Sequence, residues 1–217
     1  MNAHAQKGLT LPEVLIALLV FSAIAATAVY ALRLGVDSRD QLAVVDDDLK
    51  SFQIARTLIK EDLAQITSRT VRDEFGDGRP AAFMGNLQNF ASRREEDERV
   101  LASFVRAGWI NPGAEEPRSA LQYVEYVFRD GVLLRRSRAY LDEASGADAD
   151  ERVLFANLVD AQAAFLIGEQ RGELEWSDIW PVSGRGSAPQ ALSITLDREG
   201  REPVEQLFWI APVEAQS

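Results

Sequence analysis

The chain has 217 residues, a formal net charge of −11 and no cysteine. The lack of cysteine excludes disulfides, thiol catalysis and thiolate metal sites. The acidic balance makes nucleic acid and anionic membrane surfaces poor partners for the soluble part. The only histidine is His4, ahead of a long apolar run, so histidine-based catalysis and metal binding are not expected.

The apolar run is the first predicted element. Between Glu13 and Arg33 lie nineteen uncharged, mostly apolar residues, 14–32. A helix of that length covers about 28 Å, close to the hydrocarbon thickness of a bilayer. Lys7 is the only charged side chain before Glu13, which favours a cytoplasmic amino terminus and a body outside. The sequence therefore predicts a single-pass anchor.

Glu13 stands at the head of this run. A carboxylate costs about 2.5 kcal/mol or more inside a membrane helix, and such residues are usually functional. We therefore expect Glu13 to have a partner. Two other interpretations remain: a secretory signal peptide that ends at the small residues Ala23-Ile24-Ala25, and a plain anchor in which the glutamate is incidental.

The helical pattern continues beyond the anchor. Steps of three and four define an apolar face at Leu42, Val45, Leu49, Phe52, Ala55, Ile59, Leu63 and Ile66. Charged residues occupy the other face, which we expect to be solvated: Asp46, Asp47, Asp48, Lys50, Arg56, Lys60, Glu61 and Asp62. The pattern predicts one helix from about Leu11 to about Ile66, with Gly35 as a weak point. We expect the apolar face of this second half to pack on a β-sheet.

The sequence predicts two β-hairpins. The run Leu121–Phe128 is rich in aromatic and β-branched residues, and Asp130-Gly131 then separates it from Val132-Leu133-Leu134. Ala191–Leu196 and Val204–Ile210 form the second pair. Further strands are expected in Val153–Ile167 and Glu173–Trp176, whereas residues 69–99 are expected to form a long, partly mobile connection. A helix followed by strands predicts an α+β fold with antiparallel sheets.

Other chemical motifs are weak. The acidic residues Asp142, Glu143, Asp148, Asp150 and Glu151 favour a solvated loop, although hard cations prefer such oxygens and calcium stays open. Gly184-Arg185-Gly186-Ser187 lacks the spacing of a phosphate loop and predicts a turn. Trp109, Trp176, Trp180 and Trp209 are expected in the core by default, with Trp109 nearest a loop surface. No cofactor or metal is expected.

The amino terminus resembles a known leader. Lys7-Gly8-Leu9-Thr10-Leu11-Pro12-Glu13 resembles the class III leader of type IV pilins and type II secretion pseudopilins, although Leu9 and Pro12 differ from the usual residues. The resemblance implies that a prepilin peptidase cuts between Gly8 and Leu9 and methylates the Leu9 amine. It also implies that Glu13 meets the amine of a neighbouring subunit during assembly. The expected domains are a leader, 1–8, an anchor, 9–34, and a periplasmic domain, 35–217, helical to about residue 68.

The soluble part resembles one branch of that superfamily. Three stretches are similar to J-type minor pseudopilins of type II secretion: Phe104–Pro112, Leu121–Arg136 and Trp180-Pro181. The resemblance implies a structural, non-enzymatic subunit in the inner membrane. I-type and K-type pseudopilins, and possibly the H type, would be its partners at the pseudopilus tip, with no nucleic acid and no small-molecule substrate. The alternatives are an H-, I- or K-type pseudopilin, a type IV pilus minor pilin, and a membrane-anchored periplasmic enzyme that uses carboxylates.

Overall fold

The computed structural model describes residues 10–72, 78–79, 81–86, 98–108, 120–138, 140–141 and 149–213, apart from the side chains of 36–38, 40–45 and 47–48. Within these residues the chain forms one helix and nine strands. Their bounds are α1 Leu11–Ala64, β1 Phe83–Gly85, β2 Arg99–Arg106, β3 Gln122–Arg129, β4 Val132–Arg138, β5 Asp150–Phe155, β6 Asp160–Gln170, β7 Glu173–Ser177, β8 Ala191–Asp197 and β9 Val204–Trp209.

The long helix is confirmed. Its 54 residues end two residues before the predicted Ile66, and Gly35 does not interrupt it. The chain forms two compact units, residues 1–50 and residues 51–217. The described part of the first unit is α-helical from Leu11 onward. The second unit contains the last part of α1 and all nine strands.

The first sheet is a five-stranded antiparallel meander in the order β1-β2-β3-β4-β5. Its centre is the predicted hairpin of β3 and β4, with Arg129 opposite Val132. The two turn residues, Asp130 and Gly131, have φ angles of 51° and 72°. Two positive φ angles define a type I′ turn, which is the geometry that an Asp-Gly pair favours.

The second sheet has four antiparallel strands in the order β7-β6-β8-β9. The predicted terminal hairpin is confirmed, because β8 pairs with β9 from Leu196 opposite Val204 to Ala191 opposite Trp209. The predicted strand region Val153–Ile167 holds two strands that belong to different sheets. The chain leaves β5 and enters β6 through residues 156–159, where Asn157 has a φ angle of 57°.

One hydrophobic core joins the helix segment of the second unit to both sheets. Ala55, Ile59 and Leu63 are buried as the periodicity predicts, and Phe52 and Ile66 pack at the margin. Four aromatic pairs have ring centroids 5.2–5.8 Å apart. Phe52 with Phe155 links the helix to the first sheet and Phe83 with Phe165 links the two sheets, whereas Phe83 with Phe104 and Phe104 with Tyr126 lie within the first sheet. Such separations lie in the range that favours aromatic contacts.

The prediction of a long, partly mobile connection over residues 69–99 is wrong in one part. Phe83–Gly85 forms the buried strand β1, which pairs with β2. The ring of Phe165 occupies the space that a Cβ at position 85 would need, so glycine is required there. A strand of three residues is too short to show a period. Residues 73–77, 80 and 87–97 of the connection lie outside the described residues.

Two predictions about the faces of α1 are also wrong. Leu49, assigned to the apolar face, is 55% exposed, because the core that the strands supply begins at Phe52. Asp62, assigned to the solvated face, is fully buried. The side chains of Leu42, Val45, Asp47 and Asp48 lie outside the described residues.

Candidate functional site

The amino-terminal half of α1 is an exposed apolar cylinder. Residues Leu11–Gly35 form a segment of 25 residues that is long and apolar enough to cross a membrane. Its length of about 37 Å exceeds the hydrocarbon thickness. Large side chains such as Leu19, Phe21 and Leu32 are about 70% exposed. Apolar surface of this extent marks a segment that lipid or other helices cover.

The first turn of α1 places Glu13 at the head of this cylinder. The carbonyl of Thr10 accepts hydrogen bonds from the backbone N–H groups of Glu13, at 3.1 Å, and Val14, at 3.2 Å. Pro12 lies in the first turn, where its missing N–H costs no intrahelical bond. The Glu13 carboxylate is exposed and stands at the positive end of the helix dipole. The predicted cleavage residues, Gly8 and Leu9, lie outside the described residues, as does His4.

The hydroxyls of Ser22 and Thr27, within the apolar segment, are bonded to the helix itself. Ser22 donates to the carbonyl of Leu19 at 2.8 Å, and Thr27 donates to that of Ile24 at 2.8 Å. Such back-bonding lets hydroxyl groups lie in an apolar medium at low cost. With these hydroxyls bonded, the remaining strongly polar group is Glu13, the only charged side chain between residues 10 and 32.

The second unit contains a buried ionic cluster around Asp62. Arg135 donates from Nε to Asp62 Oδ2 at 2.6 Å and from Nη2 to Oδ1 at 3.0 Å. Arg106 Nη1 also donates to Oδ1, and Tyr126 donates from Oη to Oδ2 at 3.0 Å. A carboxylate has about four lone-pair positions, so Asp62 is saturated. Its donors come from three strands, β2, β3 and β4.

The electrostatics of the Asp62 cluster follow from burial and charge. Burial raises the pKa of Tyr126 well above 10.0, and the neighbouring Asp62 carboxylate raises it further. Burial by itself lowers the pKa of Arg135, but the hydrogen bonds to Asp62 and its charge outweigh burial, so that the pKa is raised. The tyrosine therefore stays neutral and the arginine stays charged across the physiological range.

A second ionic cluster lies on the opposite face of the first sheet. Arg136 forms a bidentate pair with Glu98, at 2.6 and 2.7 Å, and also donates from Nε to Glu151 at 2.7 Å. Arg129 adds a bond to Glu151 at 3.0 Å. Hydrogen bonding to Glu98 is the main reason that the pKa of Arg136 is raised. The register places Glu125 directly opposite Arg136, and Arg138 donates to it at 3.2 Å.

The acidic segment that is expected to form a solvated loop, with calcium as the open alternative, is only partly described. Asp150 and Glu151 belong to β5, and the Glu151 carboxylate is occupied by two arginines. Asp142, Glu143 and Asp148 lie outside the described residues. Among the described residues, no three histidine, cysteine or acidic side chains are grouped so that they could hold a metal ion.

The predictions for the tryptophans and for the glycine-rich run are confirmed only in part. Trp180 is 1% exposed and belongs to the core, Trp176 is half-buried, and Trp209 is 66% exposed. The expectation of a core position is therefore wrong for Trp209, because it lies on the edge strand β9 and its side chain alternates away from the core residue Phe208. Trp109 lies outside the described residues. Gly184 stands in a turn with a φ angle of 77°, as predicted.

The Asp62 cluster is the feature that the sequence analysis missed. Asp62 stands next to Lys60 and Glu61, which are exposed, so its neighbours indicate a solvated face. Its partners Arg106 and Arg135 are 44 and 73 residues away along the chain. One feature of the sequence does indicate burial of Asp62. It directly precedes the apolar Leu63 and lies three residues after Ile59, on the same side of the helix.

These features define the class of protein. A single helix that is apolar and exposed in its first half, and that packs on antiparallel sheets in its second half, is the architecture of pilin-like proteins, as the sequence predicts. The sequence matches the family Type II secretion system (T2SS), protein J over residues 30–210, and a prokaryotic N-terminal methylation motif over residues 3–29. The chain therefore belongs to the family of type II secretion system protein J, which confirms the J-type prediction.

Relatives and a solved structure agree with this assignment. The chain is 27% identical to type II secretion system protein J of Klebsiella pneumoniae over 97% of this chain and 98% of the relative. It is 29% identical to the Escherichia coli protein of the same name, over 94% and 96%. It also resembles a chain in the crystal structure of the GspK-GspI-GspJ complex from the enterotoxigenic Escherichia coli Type 2 Secretion System. That match has a TM-score of 0.59 and 26% identity, over 77% of this chain and 99% of the other.

Proposed function

We propose that this pseudopilin is a structural subunit of the pseudopilus tip, which promotes protein export across the outer membrane, and that it has no enzymatic activity of its own. The observation that carries the proposal is the division of α1. Its first half exposes apolar side chains along its whole length, and its last turns belong to the core of a separate compact unit. A subunit that joins others through its helix needs both parts.

The buried acids support a structural role. Asp62, Glu98 and Glu125 are each at most 6% exposed and each is paired with arginine. An enzyme that uses carboxylates needs acids that can reach a substrate. These three acids instead hold strands and helix together.

The proposed topology places residues 9–34 in the inner membrane, the amino terminus in the cytoplasm and residues 35–217 in the periplasm. The positive charge of Lys7 ahead of the apolar segment supports this orientation. During assembly the subunit would leave the membrane and enter the periplasmic pseudopilus, where neighbouring helices would replace lipid around the apolar cylinder.

The proposed maturation removes residues 1–8. The prepilin peptidase would cut between Gly8 and Leu9 and methylate the Leu9 amine. The match to the N-terminal methylation motif over residues 3–29 supports this step. Measuring the mass of the native amino terminus tests it: we expect a methylated chain that begins at Leu9. A chain that begins near Thr27 would restore the secretory-signal interpretation.

The proposed partners are the I-type and K-type pseudopilins, and possibly the H type. The support is the relative that crystallised in a complex with GspI and GspK. A stable complex needs about 1,600 Å² of total buried surface, which the exposed face of a helix and adjoining loops can supply. No nucleotide or metal would be needed.

The partner proposal is tested with soluble fragments. We expect residues 37–217 to give a soluble, folded monomer, because the helix segment from Phe52 has its own core to cover. This fragment should bind the I-type soluble domain and, through it, the K-type domain, as measured by light scattering of the mixtures. Fragments that stay apart at high micromolar concentration would contradict the tip assignment.

A further inference from the structure

The apolar stripe that holds α1 on the sheets repeats every four residues. Its buried members are Ala55, Ile59 and Leu63. A slide of the helix by four residues, about 6 Å along its axis, would place Ile59 where Ala55 was and Leu63 where Ile59 was. Because hydrophobic burial is non-directional, the slide keeps apolar side chains at these positions. Placing Ile59 in the space of Ala55 costs about 1–3 kcal/mol through overpacking, so the stripe alone favours the observed position only modestly.

Asp62 has no such repeat. The residues four positions away are Leu58 and Ile66, which cannot accept a hydrogen bond through their side chains. A rotation by one residue would present Glu61, whose longer side chain would not meet the same four donors. In the observed position, Asp62 accepts from Arg106, from Tyr126 and twice from Arg135. Every other position of the helix leaves two arginines buried without this carboxylate.

Both arginines have a second partner, which lies on the sheet for Arg135 and directly after α1 for Arg106. Arg135 Nη2 donates to Gln122 at 3.1 Å, and Arg106 Nη2 donates to Gln65 at 2.5 Å. The side chains of Arg106 and Arg135 are 12% and 8% exposed. Arg135 is therefore held in place by the sheet, whereas Arg106 extends from β2 to both Asp62 and Gln65 at the end of the helix. Hydrogen bonds are directional, and buried ionic groups are best known for setting register.

We propose that the Asp62 cluster, defined as Asp62 with Arg106, Tyr126 and Arg135, is a register lock. It selects one rotation and one axial position of α1 on the first sheet, and so determines which face of the helix is presented to other subunits. The apolar stripe supplies most of the stabilisation, and the cluster supplies the choice of position. Asp62 is in this sense a positioning residue for assembly.

The face that the lock presents lies on the side of α1 away from the core. Within the second unit its exposed members are Gln53, Ile54, Thr57, Lys60, Glu61 and Ala64. Ile54 is 55% exposed and supplies apolar surface. A rotation of the helix by one residue, about 100°, would turn this face toward a sheet. The link to partner binding rests on the proposed function, whereas the lock itself does not.

The test replaces the cluster with apolar groups in the full chain purified in detergent. The variant Asp62→Leu, Arg106→Met, Tyr126→Phe and Arg135→Met removes every member while keeping similar volume. Spin labels on Thr57→Cys in α1 and Val153→Cys in β5 report the position of the helix, because the chain has no other cysteine and both sites are exposed. The matched control removes the exposed pair of Glu175 and Arg185, which lie 2.9 Å apart.

We expect the unsubstituted chain and the control to give one narrow distance distribution. The apolar variant should still unfold cooperatively, but its distribution should broaden or gain a second peak displaced by up to about 6 Å, the length of a four-residue slide. Its apparent affinity for the I-type partner should fall about tenfold if one tenth of the population keeps the competent register.

Two results would overturn the lock. An unchanged narrow distribution in the folded apolar variant would show that the stripe and the backbone bonds at the helix end, Ala107 N–H to Gln65 O and Thr67 N–H to Val105 O, fix the register. Loss of the cooperative transition would show that the cluster is needed for folding itself. Failure of the unsubstituted chain to bind the I-type partner would instead contradict the proposed function and leave the distance result intact.

Discussion

Two acidic residues of the same helix, Glu13 and Asp62, lie in opposite environments. Glu13 is exposed in the first turn, at the head of an apolar segment. Asp62 is fully buried near the last turn and accepts four hydrogen bonds from three strands. Glu13 stands out in the sequence because no charged residue follows it until Arg33, whereas Asp62 is hidden among charged neighbours.

The contrast shows how differently one helix uses a carboxylate. Asp62 has its partners within the chain, so its role is complete in a single folded subunit. Glu13 stands outside the core, and we propose that its partner is the amine of another subunit. A change at Asp62 should therefore affect folding of the domain, while a change at Glu13 should affect assembly alone. Four predictions test this division, ordered by their expected effect on the free energy of unfolding.

The largest effect is expected for Asp62→Ala. The substitution leaves Arg106 and Arg135 buried without their carboxylate, and breaking a buried pair in this way costs about 3–5 kcal/mol. Urea unfolding of the fragment 37–217 measures the loss. The control is Asp46→Ala, because Asp46 is 61% exposed in its pair with Lys50 and such pairs contribute about 1 kcal/mol or less. Equal, small losses for both variants would refute the distinction.

The next effect is expected for Ile59→Ala. Ile59 is fully buried, and truncation of such a side chain to alanine costs about 2–5 kcal/mol through lost burial and a cavity. Ile54→Ala is the matched control, since Ile54 belongs to the same helix but is 55% exposed. Its cost should stay within about 0.5 kcal/mol. Urea unfolding of the same fragment decides whether burial follows the observed face of the helix.

A smaller effect is expected from pH. Burial alone would raise the pKa of Glu151, but hydrogen bonds and charge from Arg136 and Arg129 outweigh it and lower the pKa below 4.5. A lowered pKa stabilises the fold fully above that value, and the contribution disappears as the pH falls through the pKa of the folded state. Unfolding measured between pH 6 and pH 3 should therefore lose less stability in Glu151→Gln than in the unsubstituted fragment. Identical pH curves would exclude a role for this pair.

No effect on domain stability is expected for Glu13→Ala. The carboxylate lies in the first unit, in a segment that other helices or lipid would cover, so cleavage, membrane insertion and folding should stay normal. Removing a charge even favours insertion. Co-purification with I- and K-type subunits and export of the secreted cargo should both fall. Normal export with normal co-purification would contradict the proposed role of Glu13, whatever the stability shows.

The sequence predicts best those elements that depend on residues adjacent along the chain. The Asp130-Gly131 turn, the terminal hairpin and the continuous helix all depend on residues that are neighbours along the chain, and the structure confirms each of them. Strand β1 was missed because its three residues are too few to show alternation. It exists because Phe83 fills a position between Phe104 and Phe165, two residues that are distant in sequence.

The sequence by itself determined the family, the α+β fold, the long apolar helix and the unusual position of Glu13 at its start. Motifs, periodicity and turn residues each depend on short stretches of chain. Only the tertiary structure decided which polar side chains are buried. Burial of Asp62 depends on Arg106, Tyr126 and Arg135 arriving from three strands, and the exposure of Leu49 and Trp209 depends on where the sheets end. Each of these is a property of contacts between distant segments, and no local pattern of residues encodes it.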